Sequence, residues 1–322
     1  MHNMDRIGTD SPVYRIGVLL IDGFALMSYA SVVEPFRAAN LLSRRQLYSL
    51  TNITPGGGTA HSSGAARVDA AAQVGDDLKL DLLLVLAGGD PVSFDDPAVF
   101  RWLGRMARSG LTLGGVSGGP VILARAGLMG GRRMTVHWEH AEALAEISPM
   151  LLIERSLYVI DRDRVTCAGG TAPMDLMHAI IARHHGPVFA RLVSDWFLHT
   201  NIRPSGDPQR GGLVERVGTT NAIILDVVES MESHIADPLT LEHLAQFAEI
   251  SSRQLNRLFR RIMGQTTMAY YRDLRLDKAQ NLLRNSPLSL TEVALATGFS
   301  SSSHFSKAHT DSFGMPPSKL RN

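Results

Sequence analysis

The chain has 322 residues, 44% of them hydrophobic and 20% charged, with 29 glycines, 15 prolines and a formal net charge of +1. At roughly 100 to 200 residues per domain that length favours two domains, and the composition excludes a disordered chain, a collagen-like repeat and a disulfide scaffold. No apolar run approaches the roughly 18 residues needed to span a bilayer, so no membrane partner is expected. The first dozen residues are polar and lack the apolar core of a secretory signal, and the single cysteine, Cys167, can form no internal disulfide; both point to the cytoplasm.

Residues 14–200 alternate short apolar runs with helical periods. Residues 14–21 (YRIGVLLI), 81–86 (DLLLVL) and 111–116 (LTLGGV) read as strands covered on both faces, with helices expected at 26–42 and 97–109. A hairpin fits 156–168, and two further helices follow at 172–184 and 187–199. This alternation predicts an α/β domain with a mostly parallel sheet whose ligands lie beyond the carboxyl ends of its strands.

The most loaded segment is 114–120 (GGVSGGP), which closes a strand and opens a helix running to Ala126. Such a turn exposes Ser117 at the sheet's edge, with helix-start N–H groups aimed at any anion, and Gly115 to Gly119 spell G-x-S-x-G. A hydrolase of that kind needs an acid and then a His farther along. Asp175, His178, His184 and His185 all fall on or beside one predicted helix, which counts against hydrolysis. His137, just before Trp138 at a helix start, is either a base for Ser117 or a hydrogen-bonded structural side chain. Cys167 is expected to be a buried small apolar group.

Residues 203–218 (RPSGDPQRGGLVERVG) have no sustained apolar period and read as a linker. Beyond it every periodic segment is helical. Leu241, Leu244, Ala245 and Ala248 mark one short helix; Leu255, Leu258, Phe259 and Ile262 mark the inward face of the next. That second helix turns Ser252, Arg253, Gln254, Asn256, Arg257, Arg260 and Arg261 elsewhere. The plan recurs about fifty residues later, where a short helix through Leu290, Val293, Ala294 and Ala296 turns at Gly298 into a second one. Its outward residues are Ser301, Ser302, Ser303, His304 and Lys307. A long amphipathic helix at 266–284 joins the two pairs.

Charge is segregated with this division. Residues 251–322 carry eleven Lys/Arg against four Asp/Glu, a balance of +7, against −6 on residues 1–250. A basic module that repeats a helix-turn-helix suits the phosphates and base edges of duplex DNA, with roughly 34 Å between successive major grooves on one face; a helical bundle with a solvated basic face is the alternative.

The block 241–321, with LAQFAEISSRQLNRLFRRIMG and later GFSSSSHFSKAHTDSFGMPPS, resembles the AraC/XylS-type DNA-binding domain, which places its recognition helices at 252–262 and 301–313. Two departures stand out. Glu249 occupies a place where that family often has Gly, which predicts strain in the first turn. His309, Thr310 and Asp311 replace an aromatic followed by basic residues, which predicts a weaker phosphate grip by the second helix.

The segment GGVSGGPVILARAGLMGGRRMTVHWEH resembles the nucleophile elbow of the ThiJ/PfpI superfamily, related in fold to class I glutamine amidotransferases. The resemblance implies a flavodoxin-like, mostly parallel sheet sandwiched by helices, followed by the all-α domain. It sets the domains at 13–202 and 219–322 with the linker between them. Enzymes of that superfamily carry a cysteine at the elbow, a His at the position of His137 and often an acid near the end of the first strand, here Asp22. With Ser117 in place of the thiol, a degenerate elbow without catalysis, cofactor or metal is implied.

Joined, the two halves resemble GlxA-type transcriptional regulators over residues 14–321. The stretches VVEPFRAAN, TCAGGTAPMDLMHAIIARHHG and DPQR resemble the branch responding to glycine betaine, dimethylglycine, carnitine or arginine. An effector carboxylate is then expected at Ser117, Gly118 and Gly119, and a cationic end against Asp22, Glu34, Phe94 and Trp138, with His137 nearby. The resemblance further implies a DNA operator, RNA polymerase and a second copy of the chain as partners, and activation as the output.

Overall fold

The computed structural model describes residues 12–286 and 288–321, so the polar segment read as free of a signal lies almost wholly outside them. The chain divides into two compact units after Gln209.

The first unit begins with β1 (Tyr14–Leu20), α1 (Leu26–Ser43) and β2 (Tyr48–Thr54), then β3 (Thr59–His61), β4 (Arg67–Asp69) and β5 (Ala72–Gln73). It continues through β6 (Leu82–Ala87), α2 (Pro97–Arg108), β7 (Thr112–Ser117), α3 (Gly119–Arg125), β8 (Arg133–Thr135), α4 (Trp138–Ile147) and β9 (Leu152–Glu154). It closes with β10 (Tyr158–Asp161), β11 (Arg164–Cys167), α5 (Ala172–His185) and α6 (Pro187–Trp196). Seven strands form one sheet in the order β10-β11-β7-β6-β1-β2-β5, parallel except for the β10-β11 hairpin.

The continuous apolar runs follow from burial on both faces. Val18, Leu20, Leu82, Leu84 and Leu86 point into a core shared with Val32 and Phe36 of α1 and Leu176 and Ile181 of α5. Leu19, Leu83, Val85 and Ala87 point the other way, onto Val99, Trp102 and Leu103 of α2 and Val121 and Ile122 of α3. Each such side chain, removed from water, contributes about 1.5 to 3 kcal/mol.

The second unit runs through α7 (Leu213–Val217), α8 (Ala222–Ser233), α9 (Leu241–Phe247), α10 (Ser252–Met263), α11 (Thr267–Asn285), α12 (Leu290–Ala296) and α13 (Ser302–Phe313), with a closing turn at Pro317–Arg321. It holds two cores. Val227, Met231, Leu244, Leu255 and Phe259 build one around Tyr271 of α11; Leu276, Leu282, Val293, Phe299 and Phe305 build the other around the later turns of the same helix.

The stretch expected as a linker is claimed from both ends. Arg203 is hydrogen-bonded to the buried Asp175 and Gln209 to the β8 loop, both in the first unit, while Leu213 and Val217 of α7 pack on the first core of the second. Its Gly, Pro and charge content describes a chain without periodicity, which is compatible with one fixed by side-chain bonds.

The turns between α9 and α10 and between α12 and α13 share one design. Glu249 N–H donates to Gln246 O and Ile250 N–H to Ala245 O; Gly298 and Phe299 make the matching bonds to Leu295 and Ala294. Both turn residues are left-handed, Gly298 at φ 71° and Glu249 at φ 53°. Glu249→Gly removes the Cβ penalty of about 1 to 2 kcal/mol and adds back part of it as lost chain entropy. The expected result is a second unit more stable by about 0.5 to 1 kcal/mol, read as a raised urea midpoint in circular dichroism. An unchanged or lowered midpoint would show that the glutamate side chain compensates for its backbone.

Candidate functional site

Ser117 ends β7 with φ 60° and is 6% exposed, a strained conformation for a residue with a Cβ. The glycines around it allow the turn to press on its neighbours. A Cβ on Gly119 would lie 1.9 Å from the Val85 carbonyl oxygen, one on Gly115 2.5 Å from Pro120 N, and one on Gly118 2.9 Å from Pro91 Cγ. The Gly118 N–H donates to Ala87 O at 3.0 Å, so it is not open to an anion as expected. Close packing, more than anion capture, accounts for the G-x-S-x-G pattern here.

Three other loops converge on this elbow. At the end of β11, Gly169 is so close that a Cβ there would stand 2.7 Å from Ser117 Cβ. The next amide, Gly170 N–H, donates to Ser28 Oγ of α1 at 2.9 Å. Gly88, after β6, abuts the Gly23 carbonyl after β1. The carboxyl ends of β1, β6, β7 and β11 therefore meet along one edge of the sheet, and chain order in the sheet reverses between β1 and β6, the place where ligands of open α/β sheets generally bind.

His137 touches the elbow through its backbone, its N–H donating to Ser117 O at 3.3 Å. Its ring caps α4: Nδ1 accepts from Glu139 N–H at 3.4 Å and stands 3.6 Å from the Glu139 carboxylate. Burial lowers its pKa, favouring the neutral ring. Among the described residues no hydrogen bond joins Ser117 Oγ to His137. Next to it His140 is pushed down to about 4 by burial.

The other residues expected to contact an effector are engaged elsewhere or half-exposed. Asp22 accepts from His61 N–H at 2.8 Å. Glu34 holds Arg37 along α1 at 2.6 Å, because two charges three residues apart on a helix are neighbours. Phe94 packs edge-on against Phe100, and Trp138, 38% exposed, leans on the His137 ring at 5.4 Å.

In the second unit α10 opens on a capping box. Gln254 N–H donates to Ser251 Oγ at 3.3 Å while Gln254 Oε1 accepts from Ser251 N–H at 2.9 Å, so its carbonyl is occupied at the cap. Asn256 also departs from expectation: it is half-buried and its Oδ1 accepts from Thr267 N–H at 3.0 Å, holding the start of α11. Ser252 is half-buried as well, while Arg253, Arg257, Arg260 and Arg261 are exposed. Arg257 and Arg261 border a groove of about 250 Å³ with Ile223 and Ile250.

On α13 the N-cap Ser301 accepts from His304 N–H at 3.1 Å, and Ser300 Oγ lies 3.3 Å from His304 Nδ1. Ser301, Ser303, His304 and Lys307 are exposed and Ser302 is half-buried. A second groove, of about 280 Å³, runs past His304 and Lys307 to Arg272 of α11 and Asp311. Arg272 escaped the sequence reading, since nothing in a helical period says which polar position faces a later helix. His309 is fully buried between Phe305 and Phe313, its Nδ1 2.9 Å from Met315 O. Its side chain is therefore part of the core, while Thr310 and Asp311 beside it are exposed. Arg275 fixes the second turn, donating from Nε to Thr297 O at 2.7 Å and lying 4.3 Å over the Phe299 ring.

The DJ-1/PfpI family model matches residues 14–183, and a helix-turn-helix domain model matches residues 244–322. The chain belongs to the DJ-1/PfpI family. The HTH-type transcriptional regulator GlxA of Rhizobium meliloti (strain 1021) is 46% identical over 310 residues, covering 96% of each chain. CdhR of Pseudomonas aeruginosa, also an HTH-type transcriptional regulator, is 42% identical over 303 residues, or 94% of this chain and 90% of its own. Among solved structures, an AraC family transcriptional regulator from Pseudomonas putida is 28% identical with a TM-score of 0.51, covering 57% of this chain and 99% of that one. A ThiJ/PfpI family protein from Pseudomonas syringae, 20% identical with a TM-score of 0.52 over 77% and 96% of the two chains, shares the fold.

This DJ-1/PfpI domain is thus joined to an AraC-type helix-turn-helix domain. Its elbow offers a hydroxyl where a reactive thiol would ionise, and among the described residues no base is hydrogen-bonded to that hydroxyl. The one thiol, Cys167, is fully buried and pushed up to about 12 by burial, which disfavours its thiolate. Among the described residues no helix is long and apolar enough to cross a membrane.

Proposed function

We propose that this DJ-1/PfpI-family chain is a cytoplasmic transcriptional activator that binds an operator as a homodimer, meets RNA polymerase there, and is controlled by a small effector held at the Ser117 elbow without turnover. The observation that carries the reading is the doubled helix-turn-helix. Both units present an N-capped helix of twelve residues whose buried positions lie on one face and whose opposite face exposes Arg253, Arg257, Arg260 and Arg261 in one case and His304 and Lys307 in the other. The unpaired elbow serine supports the absence of turnover. The effector class is a small amine or amino-acid-like metabolite of the glycine betaine, dimethylglycine, carnitine or arginine kind. Its carboxylate is assigned to the Ser117 hydroxyl and Gly119 N–H, since Gly118 N–H is engaged.

Selection of duplexes from a random pool by the full chain tests the DNA half. Arg257→Ala should weaken the selected site by about 1 to 3 kcal/mol more than it weakens random DNA. An equal loss on both would make Arg257 a phosphate contact, and failure to enrich any sequence would sink the regulator reading. For the effector half, a true ligand at about a hundred times its Kd should stabilise the chain by roughly 2.7 kcal/mol. Ester hydrolysis that disappears in Ser117→Ala would replace sensing by catalysis.

A further inference from the structure

Two unit-flanking loops touch Ser117, and the segment that leaves the first unit is fastened to both. On one side Gly169 lies against Ser117, and two residues on, Thr171 Oγ1 accepts from Arg203 Nη2 at 3.1 Å. The same guanidinium donates to Asp175 Oδ2 from Nε at 2.9 Å and from Nη2 at 2.7 Å. The Arg203 N–H and His199 Nε2 meet Asp175 Oδ1 at 2.9 and 2.8 Å. Asp175 is wholly buried, so these bonds are made in a low-dielectric setting where each is strong.

On the other side His137 N–H donates to Ser117 O. The residues just before it receive the end of the same segment: Gln209 Nε2 donates to Thr135 Oγ1 at 3.0 Å, Val136 O at 3.0 Å and Ser156 O at 2.9 Å. Between the two anchors Ser205 O accepts from Leu157 N–H at 2.9 Å, and Pro208 bridges Ser156. Gln209 is the last residue of the first unit and belongs to the DPQR stretch, whose role the elbow and the DNA-binding helices leave open.

We propose that residues 199–209 are a latch that reads the Ser117 elbow: displacement of the 169–171 loop or the 135–137 loop by an effector loosens or tightens the Arg203 and Gln209 anchors, and so alters the tether of the DNA-binding unit. This deepens the regulator reading and rests on it. The geometry is two-sided. Both loops lie against Ser117, one bonding Arg203 through Thr171 and the other bonding Gln209 through Thr135 and Val136. Ligand control needs such an element, whose state differs with and without the effector.

The test uses the full chain and two variants. Gln209→Ala removes the one amide nitrogen that reaches three acceptors but leaves Thr135 Oγ1 donating to Ser156 O, so the loop retains its own bond. Arg203→Lys keeps a cation beside Asp175 while losing the forked contact. Amide hydrogen exchange is followed at His137 and Gly170, whose N–H groups bond Ser117 O and Ser28 Oγ, and at Leu157. The expected result is exchange faster by about tenfold at His137 in Gln209→Ala and at Gly170 in Arg203→Lys, with a change of about fivefold or more in Kd for the selected duplex. Wild-type exchange at both amides overturns the latch. Faster exchange with an unchanged Kd overturns its action on DNA binding. If the wild type binds no duplex, the regulator reading fails and the latch's role in DNA binding fails with it, while the exchange arm still shows whether the anchors hold the elbow.

Discussion

Gly119→Ala is expected to leave the first unit unfolded or nearly so under conditions where the wild type is stable. The added Cβ would stand 1.9 Å from the Val85 carbonyl oxygen and 2.8 Å from its carbon. Val85 lies on β6, in register with Leu19 of β1 on one side and Gly115 of β7 on the other, so its backbone sits between two paired strands and has little room to shift. Overpacking in a core that can yield costs about 1 to 3 kcal/mol; against central-strand backbone the expected cost exceeds about 3, a large part of the roughly 5 to 15 kcal/mol of a whole domain. All three tryptophans, Trp102, Trp138 and Trp196, belong to the first unit, so their fluorescence reports its urea transition alone. Gly130→Ala is the matched control, because a Cβ there meets open space. A Gly119→Ala midpoint within experimental error of that control would show that the elbow yields, and the packing account of G-x-S-x-G would fall.

What the sequence revealed, and what it hid, divides along physical lines. Strands β1, β6 and β7 were readable because burial on both faces forces continuous apolar runs. Strand β2 (YSLTNIT) and the two-residue β5 were not, since positions near the sheet edge tolerate Asn, Thr and Ser. The second unit was legible as a repeat, since the apolar spacing of a short helix, a turn and a longer helix recurs about fifty residues apart; Glu249 stood out only through the resemblance to the AraC/XylS-type domain, where Gly is frequent. At the candidate sites, residue type singled out segments but could not show which hydrogen bonds were already made. Ser117 followed from its place between a strand and a helix. That Gly118 N–H is bonded to Ala87, that Asn256 faces α11, and that Arg203 and Gln209 fold back onto the first unit are facts of long-range geometry, carried by no local period. A Pro- and Gly-rich stretch signals the absence of helix and strand, and says nothing of which buried carboxylate will hold it.

That carboxylate provides the second large effect. Asp175→Ala should destabilise the first unit by about 3 kcal/mol, at the low end of what breaking a buried pair costs. The low end applies because the stranded partner keeps some water: the Arg203 side chain is 31% exposed, whereas Asp175 is not exposed at all. Arg203→Ala should cost at least as much, since it leaves a wholly buried carboxylate with His199 as its remaining side-chain partner. Asp175→Asn keeps an acceptor for the Arg203 N–H but loses the charge-assisted bonds, and should fall between the wild type and the alanine variant. The double variant Asp175→Leu with Arg203→Met should cost less than the two single truncations added together, because neither charge is then left unpaired. Urea transitions followed by tryptophan fluorescence decide this, and additive losses would mean that the two residues act independently. If the double variant folds, it also separates the two roles assigned to this pair. The first unit would stay intact while the Arg203 anchor is gone, so any change in DNA affinity that remained would belong to the tether and not to a weakened fold.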